Sequence, residues 1–204
     1  MLKNIIAVLV VGWASVTYAA TSASTALESV LEKNRNIEGE FRQVTYDEAG
    51  KQLQASEGIF LLAKPNQFVW DTVSPYPQRI LSDGESITVW DVDLEQATKK
   101  PLAGAIGNSP AALLGQPAAQ VLPHYQISQL GDEKFRLSPK ESDTLFQNLT
   151  LSFRREVISA MGIVDSLGQM TVIEFKNVEP HDGVAKENFS LELPANVDVI
   201  VEGQ

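Results

Sequence analysis

Residues that could carry out catalysis are few in this sequence. The two histidines, His124 and His181, lie far apart, and His181 falls in a segment that is predicted to be a solvated loop. A serine hydrolase would show a Gly-x-Ser-x-Gly or Ser-x-x-Lys motif, and neither occurs. Carboxylates are numerous, but no spacing singles out the pair that a glycosidase needs. We therefore predict no catalytic residues and no enzyme activity.

Metal and cofactor sites also have little support. Asp91, Asp93 and Glu95 have the spacing that begins a calcium-binding loop. That loop would need glycine at its sixth position and glutamate at its twelfth, where the sequence has Gln96 and Leu102. There is no His-Glu-x-x-His motif and no phosphate-binding glycine loop. We predict neither a metal nor a cofactor.

Composition excludes further classes of protein. The chain of 204 residues has no cysteine, which rules out disulfides, thiol catalysis, cysteine-ligated metals and a lipid attached to an N-terminal cysteine. The net charge of −10 leaves no basic surface for nucleic acid, and it disfavours docking on anionic membranes. The content of 44% hydrophobic residues is that of a folded protein.

The first nineteen residues have the pattern of a signal peptide. Lys3 supplies the basic start, an apolar stretch of about 9 residues runs from Ile5 to Trp13, and small residues at Thr17 and Ala19 mark a cleavage site. That stretch is shorter than the roughly 20 residues of a membrane span. The pattern predicts cleavage near Ala19, a single domain over residues 20–204 and a periplasmic location.

Hydrophobic periodicity divides the rest of the chain into one helix and many strands. A helix is predicted over about residues 25–34, where apolar residues recur at helical spacing and Ser24 can cap the N-terminus. From Ile37 onward the period is two, as in β-strands. About ten antiparallel strands joined by hairpins predict a mainly β fold, either a highly curved sheet or an open barrel, with helices against its concave face.

The strand pattern is interrupted over about residues 99–123, a segment rich in proline and glycine. Two or three short helices are predicted there, and they must lie on the sheet because they are too short to be stable alone. The glycines permit hinge motion, so the segment suits a lid, with Leu113 and Leu114 able to fill the space beneath it. A sheet with so little cover either dimerises or holds an apolar ligand.

Four stretches of sequence, in this order and spacing, carry a resemblance to a known family. They are AKPNQFVW (63–70), SDG (82–84), WDVDLEQAT (90–98) and GNSPAALL (107–114). Over essentially all of residues 20–204 the chain resembles the outer-membrane lipoprotein carrier family, LolA. The resemblance implies an incomplete antiparallel β-barrel of about ten or eleven strands, with short helices forming a lid over a cavity for lipoprotein acyl chains.

The resemblance also implies partners. Proteins of this family are periplasmic chaperones that accept acylated lipoproteins from an ATP-driven release complex in the inner membrane. They deliver them to an outer-membrane receptor of related fold, which is itself a lipoprotein. Because the sequence has no cysteine, it favours the diffusing carrier over the receptor, and we expect a monomer.

The resemblance assigns roles to individual residues. Phe68 and Trp70 fall on family positions in the cavity and its mouth, and we predict Phe41, Leu61 and Trp90 as further residues that contact acyl chains.

The predicted lid residues are Leu31, Lys64, Leu113 and Leu114. The family often has arginine at position 64, where it hydrogen-bonds the lid backbone. Lysine lacks the planar fork of arginine, so this latch could be weaker or made differently.

Two alternatives remain open at this point. A periplasmic sensor or adaptor could use the same half-barrel to detect lipid or lipoprotein, although such a protein would have a second domain or a membrane-spanning partner. A periplasmic hydrolase of acylated substrates would need a nucleophile or a metal that the sequence does not offer.

Overall fold

The chain folds into one large sheet with helices on one side of it. The structure is a computed structural model, and it describes residues 22–102, 114–141 and 146–202. The predicted signal peptide, the predicted lid residue Leu113 and most of the predicted lid segment lie outside the described residues. Twelve strands of the described part belong to a single sheet, in the order β12-β6-β5-β4-β3-β2-β1-β11-β10-β9-β8-β7.

The helices and strands have the following bounds. They are α1 (Ala23–Lys33), β1 (Asn36–Tyr46), β2 (Gln52–Ala63), β3 (Gln67–Ser74), β4 (Gln78–Asp83), β5 (Ser86–Asp91), β6 (Gln96–Pro101), α2 (Ala118–Val121), β7 (Tyr125–Gly131), β8 (Lys134–Pro139), β9 (Phe146–Arg154), β10 (Val157–Asp165), β11 (Met170–Pro180) and β12 (Asp198–Val201). Two 3₁₀ turns span Leu122–His124 and Lys186–Phe189.

The sheet is open and curled, as the fold prediction required. Every pairing of neighbouring strands is antiparallel except that of β12 with β6. Within the described residues β7 and β12 each pair on one side only, so the sheet does not close into a barrel. Side chains from strands in both halves of the sheet nevertheless belong to one buried cluster, which requires the sheet to curl. The prediction of an incomplete, highly curved β-barrel is confirmed.

The strand that the sequence did not predict is β6. Its segment QATKKP has one apolar side chain that is buried, Ala97, and no alternation to mark it as a strand. It is a strand because it pairs with β5 on one side and with β12 on the other. The predicted insertion at about residues 99–123 therefore begins too early, since residues 99–101 complete β6.

Helix α1 starts two residues before its predicted first residue. Ser22, and not Ser24, is the N-cap, and its Oγ accepts a hydrogen bond from the backbone N–H of Thr25 at 3.2 Å. The helix ends at Lys33 with Asn34 as the C-cap. Several small polar residues precede the apolar stripe, so the sequence alone could not choose among these caps.

The concave face of the sheet holds the main core. Leu27 and Leu31 of α1 are buried against it, together with Leu114 and the first residues after it. The cluster comprises Leu27, Leu31, Ile37, Phe41, Phe60, Leu62, Phe68, Trp70, Ile87, Leu102, Leu114, Ala118, Leu122, Phe135, Leu137, Phe146, Leu149, Leu151, Phe153, Ile158, Met161, Ile173 and Phe175.

The C-terminal segment covers part of the opposite, convex face. The 3₁₀ turn Lys186–Phe189 lies against β3 and β4, and Phe189 is buried there. It borders a groove that also contains Leu81 and Thr88, whose side chains point away from the concave face. The convex side of β3 to β5 is therefore partly closed by the chain's own C-terminal part.

Candidate functional site

An aromatic cluster lies at the centre of the concave face. The ring of Phe41 stacks on Trp70, with centroids 4.0 Å apart. Phe175 contacts this pair from β11 and meets Phe60 edge-on at 5.2 Å. These four side chains bring β1, β2, β3 and β11 together in an apolar surface without a charged group among them.

Gly58 is required for this stacking. A Cβ at this position would lie 2.9 Å from Cε1 of Phe41 and would overlap the carbonyl oxygen of Asp71. Since neither contact is compatible with a real side chain, glycine lets the Phe41 ring and the β3 backbone approach β2.

The cluster borders an open pocket of about 400 Å³ at one end of the concave face. Trp70 and Ile80, which are cross-strand neighbours on β3 and β4, form the boundary between the aromatic cluster and the pocket. Further out, the lining is mostly polar and consists of Gln43, Gln54, Ser56, Thr72, Gln78 and Asp91, together with Pro75 and Tyr76. We call this pocket the mouth.

Three of the five predicted cavity residues lie on the concave face. Phe41 and Trp70 belong to the aromatic cluster, and Phe68 is 1% exposed. Gly115 packs directly on Phe68, since a Cβ added there would be 3.2 Å from its Cδ1 atom. Phe68 is thus covered by the residues that follow Leu113 and Leu114 in the chain.

The other two predicted cavity residues, Leu61 and Trp90, face the convex side. Leu61 is the cross-strand neighbour of Val69 and lines a convex groove with it, whereas Phe60 and Leu62 take the inward positions of β2. The stretch 59–62 is apolar on both faces, so alternation did not reveal which side is buried.

The side chain of Trp90, on β5, lies on the convex face. Its cross-strand neighbours are Arg79 and Ala97. The neighbours of Trp70 across the same strands are Ile80 and then Val89, so Trp90 is one position further along β5 and points to the opposite face. Its Nε1 is buried without a partner among the described residues. Trp90 therefore does not share a face of the sheet with Phe41, Phe68 and Trp70.

Lys64 connects the end of β2 to α1. Its ammonium group donates a hydrogen bond to the carbonyl oxygen of Leu31 at 3.2 Å, in the last turn of the helix. A cation at this end is favoured because the C-terminal carbonyls of a helix carry partial negative charge. Burial lowers the pKa of Lys64 to about 8; the nearby Glu32 carboxylate acts in the opposite direction and Arg35 lowers it further.

The low pKa of Lys64 leads to an expected pH dependence. Between pH 8 and 10.5 the unfolded chain keeps the Lys64 proton that the folded chain has lost. The contribution of Lys64 to the free energy of unfolding therefore rises with pH over this range, because the cost of burying its charge disappears. Urea unfolding of the wild type and of Lys64→Met at pH 7 and pH 10 measures this effect. We expect the stability difference, wild type minus variant, to increase with pH. A difference that stays constant or shrinks would contradict the assigned pKa.

Asn34 holds the same end of α1 to the other half of the sheet. Its Nδ2 donates to the carbonyl oxygens of Val30 and Glu156, both at 2.8 Å, and its Oδ1 accepts from the buried N–H of Ile158 at 3.0 Å. Lys33 forms an ion pair with Glu156 beside it. No local pattern in the sequence marks Asn34, since a helix-capping asparagine is common and its partners are distant along the chain.

The residues that follow 103–113 in the chain are attached to the turn between β2 and β3. The N–H of Asn66, at the turn between β2 and β3, donates to the carbonyl oxygen of Gly115 at 2.8 Å. Asn66 has φ of 64°, and Ser82 Oγ donates to its carbonyl oxygen at 2.6 Å. Leu114 is buried in the core cluster. The predicted lid residues Leu31, Lys64 and Leu114 thus lie at the contacts between the sheet and its cover.

His181 and Asp91, two residues that could support chemistry, make ordinary structural contacts. His181 is half-buried, not solvated as predicted, and its Nε2 lies 3.0 Å from the carbonyl oxygen of Leu62. Asp91 accepts a hydrogen bond from Gln78. Across residues 22–102, 114–141 and 146–202, no three acidic or histidine side chains form a group that could hold a metal ion.

An open, curled antiparallel sheet with an apolar concave face and a short helical cover defines a half-barrel protein. Within the described part of the chain no helix has the length and apolar character needed to span a membrane. The family model described as outer membrane lipoprotein carrier protein LolA matches residues 32–192. The chain belongs to this family.

Curated relatives match along nearly the whole chain. An outer-membrane lipoprotein carrier protein of Pseudomonas entomophila (strain L48) is 38% identical over 179 residues, which is 86% of each chain. A protein of the same name from Pseudomonas putida (strain W619) is 36% identical over 97% of each chain. The one from Chromohalobacter salexigens is 36% identical over 91% of this chain and 90% of its own.

Solved structures share the fold at low sequence identity. An uncharacterised conserved protein from Thermus thermophilus superposes with a TM-score of 0.56 at 9% identity, covering 89% of this chain and all of that one. A LolA superfamily protein from Nitrosomonas europaea gives a TM-score of 0.51 at 12% identity, covering 84% and 99%. These matches support the architecture alone.

Proposed function

We propose that this protein is a periplasmic carrier that binds the acyl chains of lipoproteins on its concave face and takes them to the outer membrane. The observation that carries the proposal is the aromatic cluster of Phe41, Phe60, Trp70 and Phe175, which adjoins an open mouth and lies beneath a small cover. The names of the curated relatives agree with this role. The carrier acts without catalysis.

Binding requires the cover to move. Leu27 and Phe68 are almost fully buried in the closed state, so acyl chains reach the concave face by displacing α1, the segment that begins at Leu114, or both. The lid is this cover, held by the contacts of Lys64 with Leu31 and of Asn66 with Gly115.

Displacing the cover also makes release possible. Each buried CH₂ contributes about 0.8 kcal/mol, so several fully buried acyl chains would bind too tightly to leave. The contacts of the closed, empty state offset part of that energy. Transfer to a receptor whose cavity binds the chains more strongly then needs no further energy source.

The proposed route places the protein between two membranes. Residues 1–19 direct export and are removed near Ala19, which leaves residues 20–204 as the carrier domain. An ATP-driven complex in the inner membrane loads the carrier, and an outer-membrane lipoprotein of related fold unloads it. Without Lys3 the net charge of residues 20–204 is −11, which keeps the carrier from adhering to anionic membrane surfaces on the way.

A solubility experiment tests the carrier function. Residues 20–204 are mixed with a triacylated lipoprotein while detergent is removed, and the lipoprotein remaining after centrifugation is measured. We expect it to stay soluble in a stoichiometric complex with the carrier. An unrelated acidic protein of similar size serves as the control. Equal precipitation with and without the carrier would refute the proposal.

A further inference from the structure

The side chains of the mouth are suited to an uncharged ligand. Of its polar residues three are glutamines, three carry hydroxyl groups and one is an acid, Asp91. Amides and hydroxyls both donate and accept hydrogen bonds, so they match ester and amide groups. The residues that the structure places in the lining include no lysine, arginine or histidine.

The pairing register excludes positive charge from this surface. Arg79 lies between Gln78 and Ile80 on β4, but its side chain points to the convex face and pairs with Asp71. Arg42 precedes Gln43 on β1 and is opposite Glu57 and Glu174, again on the outer face. Alternation thus directs these arginines outward and the glutamines inward.

An anionic group in the mouth would lack a cationic partner. Hydrogen bonds from amides and hydroxyls compensate only in part for the charge of a phosphate that leaves water, whereas lysine and arginine side chains compensate for it best. The one charged side chain in the lining is Asp91, whose carboxylate would repel it and already accepts a hydrogen bond from Gln78. An ester or amide carbonyl carries no net charge and meets no such penalty.

We propose, on the basis of the carrier function above, that the mouth binds the glyceryl-ester and amide groups of an acylated protein N-terminus and disfavours phospholipid headgroups. The aromatic cluster is continuous with the mouth at Trp70 and Ile80, so a ligand with its acyl chains on the cluster has its polar end here. The concave face binds acyl chains of any origin, and the mouth selects what they are attached to.

The test compares two ligands with the same acyl chains. One is a dipalmitoylglyceryl-cysteine peptide with an acetylated N-terminus and no charged residue, and the other is dipalmitoyl phosphatidylglycerol. Binding to residues 20–204 is titrated in detergent-free buffer and followed by native mass spectrometry. We expect the wild type to bind the lipopeptide at least about tenfold more tightly than the phospholipid.

Charge variants show whether the mouth is responsible. Gln78→Lys is expected to improve phosphatidylglycerol binding. The ratio of the dissociation constants for the phospholipid and the lipopeptide should then fall by about tenfold. Gln52→Lys adds the same charge at an exposed position of β2 outside the mouth and is expected to leave the preference unchanged. Circular dichroism checks the fold of each variant, and Ser56→Lys replaces Gln78→Lys if the latter does not fold.

The outcomes separate the selectivity from the carrier function. Equal binding of both ligands by the wild type would overturn the selectivity and leave the carrier function intact. A preference that Gln78→Lys and Ser56→Lys do not alter would overturn the role of the mouth. Binding of neither ligand would overturn the selectivity together with the carrier function.

Discussion

Replacing Asn34 with alanine is expected to lower the free energy of unfolding by about 3 kcal/mol. Asn34 is 6% exposed, and its side chain makes hydrogen bonds to three backbone groups in α1 and in the β9–β10 hairpin. Alanine removes all three and leaves the N–H of Ile158 buried without an acceptor. An unsatisfied buried donor costs more than the hydrogen bond contributed.

Urea unfolding followed by circular dichroism measures the effect of Asn34→Ala. Arg35→Ala is the matched control, because Arg35 is the next residue and its side chain makes an exposed ion pair with Glu32 at 3.1 Å. An exposed pair of this kind contributes at most about 1 kcal/mol. Similar losses for the two variants would contradict the anchoring role of Asn34.

Replacing Ile80 with glutamate is expected to reduce acyl-chain capture at least about tenfold. Ile80 is partly buried against the core cluster and lines the mouth next to Trp70. A carboxylate there lies in the path of an apolar chain and must lose its hydration when the chain binds. The fold is retained, because the side chain reaches the solvent of the mouth while the site is empty.

Capture by Ile80→Glu is measured with the triacylated lipoprotein in the solubility experiment. Ile59→Glu introduces the same charge on the convex face, where the isoleucine is 52% exposed, and should capture like the wild type. If Ile80→Glu captures as well as Ile59→Glu does, the ligand does not pass the mouth. Circular dichroism of both variants excludes unfolding as the cause of a loss.

Most of the sheet could be predicted because alternation is a local property. Strands such as β9, with Leu149, Leu151 and Phe153 inward and polar residues between them, show their buried face in the sequence itself. The segment QATKKP of β6 has no such signal. It is a strand because it pairs with β5 and with β12, and β12 comes about a hundred residues later, so its own residue types carry little sign of that conformation.

The candidate site was harder to predict than the fold. Of the predicted cavity residues, Trp70 and Phe41 lie on the concave face, whereas Leu61 and Trp90 lie on the convex face. Where both faces of a strand are covered, the apolar character of a residue does not show which face of the sheet its side chain occupies. The turn around Phe189 covers the convex side of β3 and β4 in this way. The contacts of Asn34 join residues more than a hundred positions apart, and pairing of that kind is visible only in the folded chain.

The two tryptophans on opposite faces of the sheet provide a spectroscopic reporter. If the signal peptide is removed, Trp70 and Trp90 are the remaining indoles in the sequence. Trp70 stacks on Phe41 beside the mouth, whereas Trp90 points away from it. Under the proposed function, we expect ligand entry to change the surroundings of Trp70 and to leave those of Trp90 unchanged. The intrinsic fluorescence of the unlabelled protein is then expected to show a binding signal from Trp70 on top of a constant contribution from Trp90.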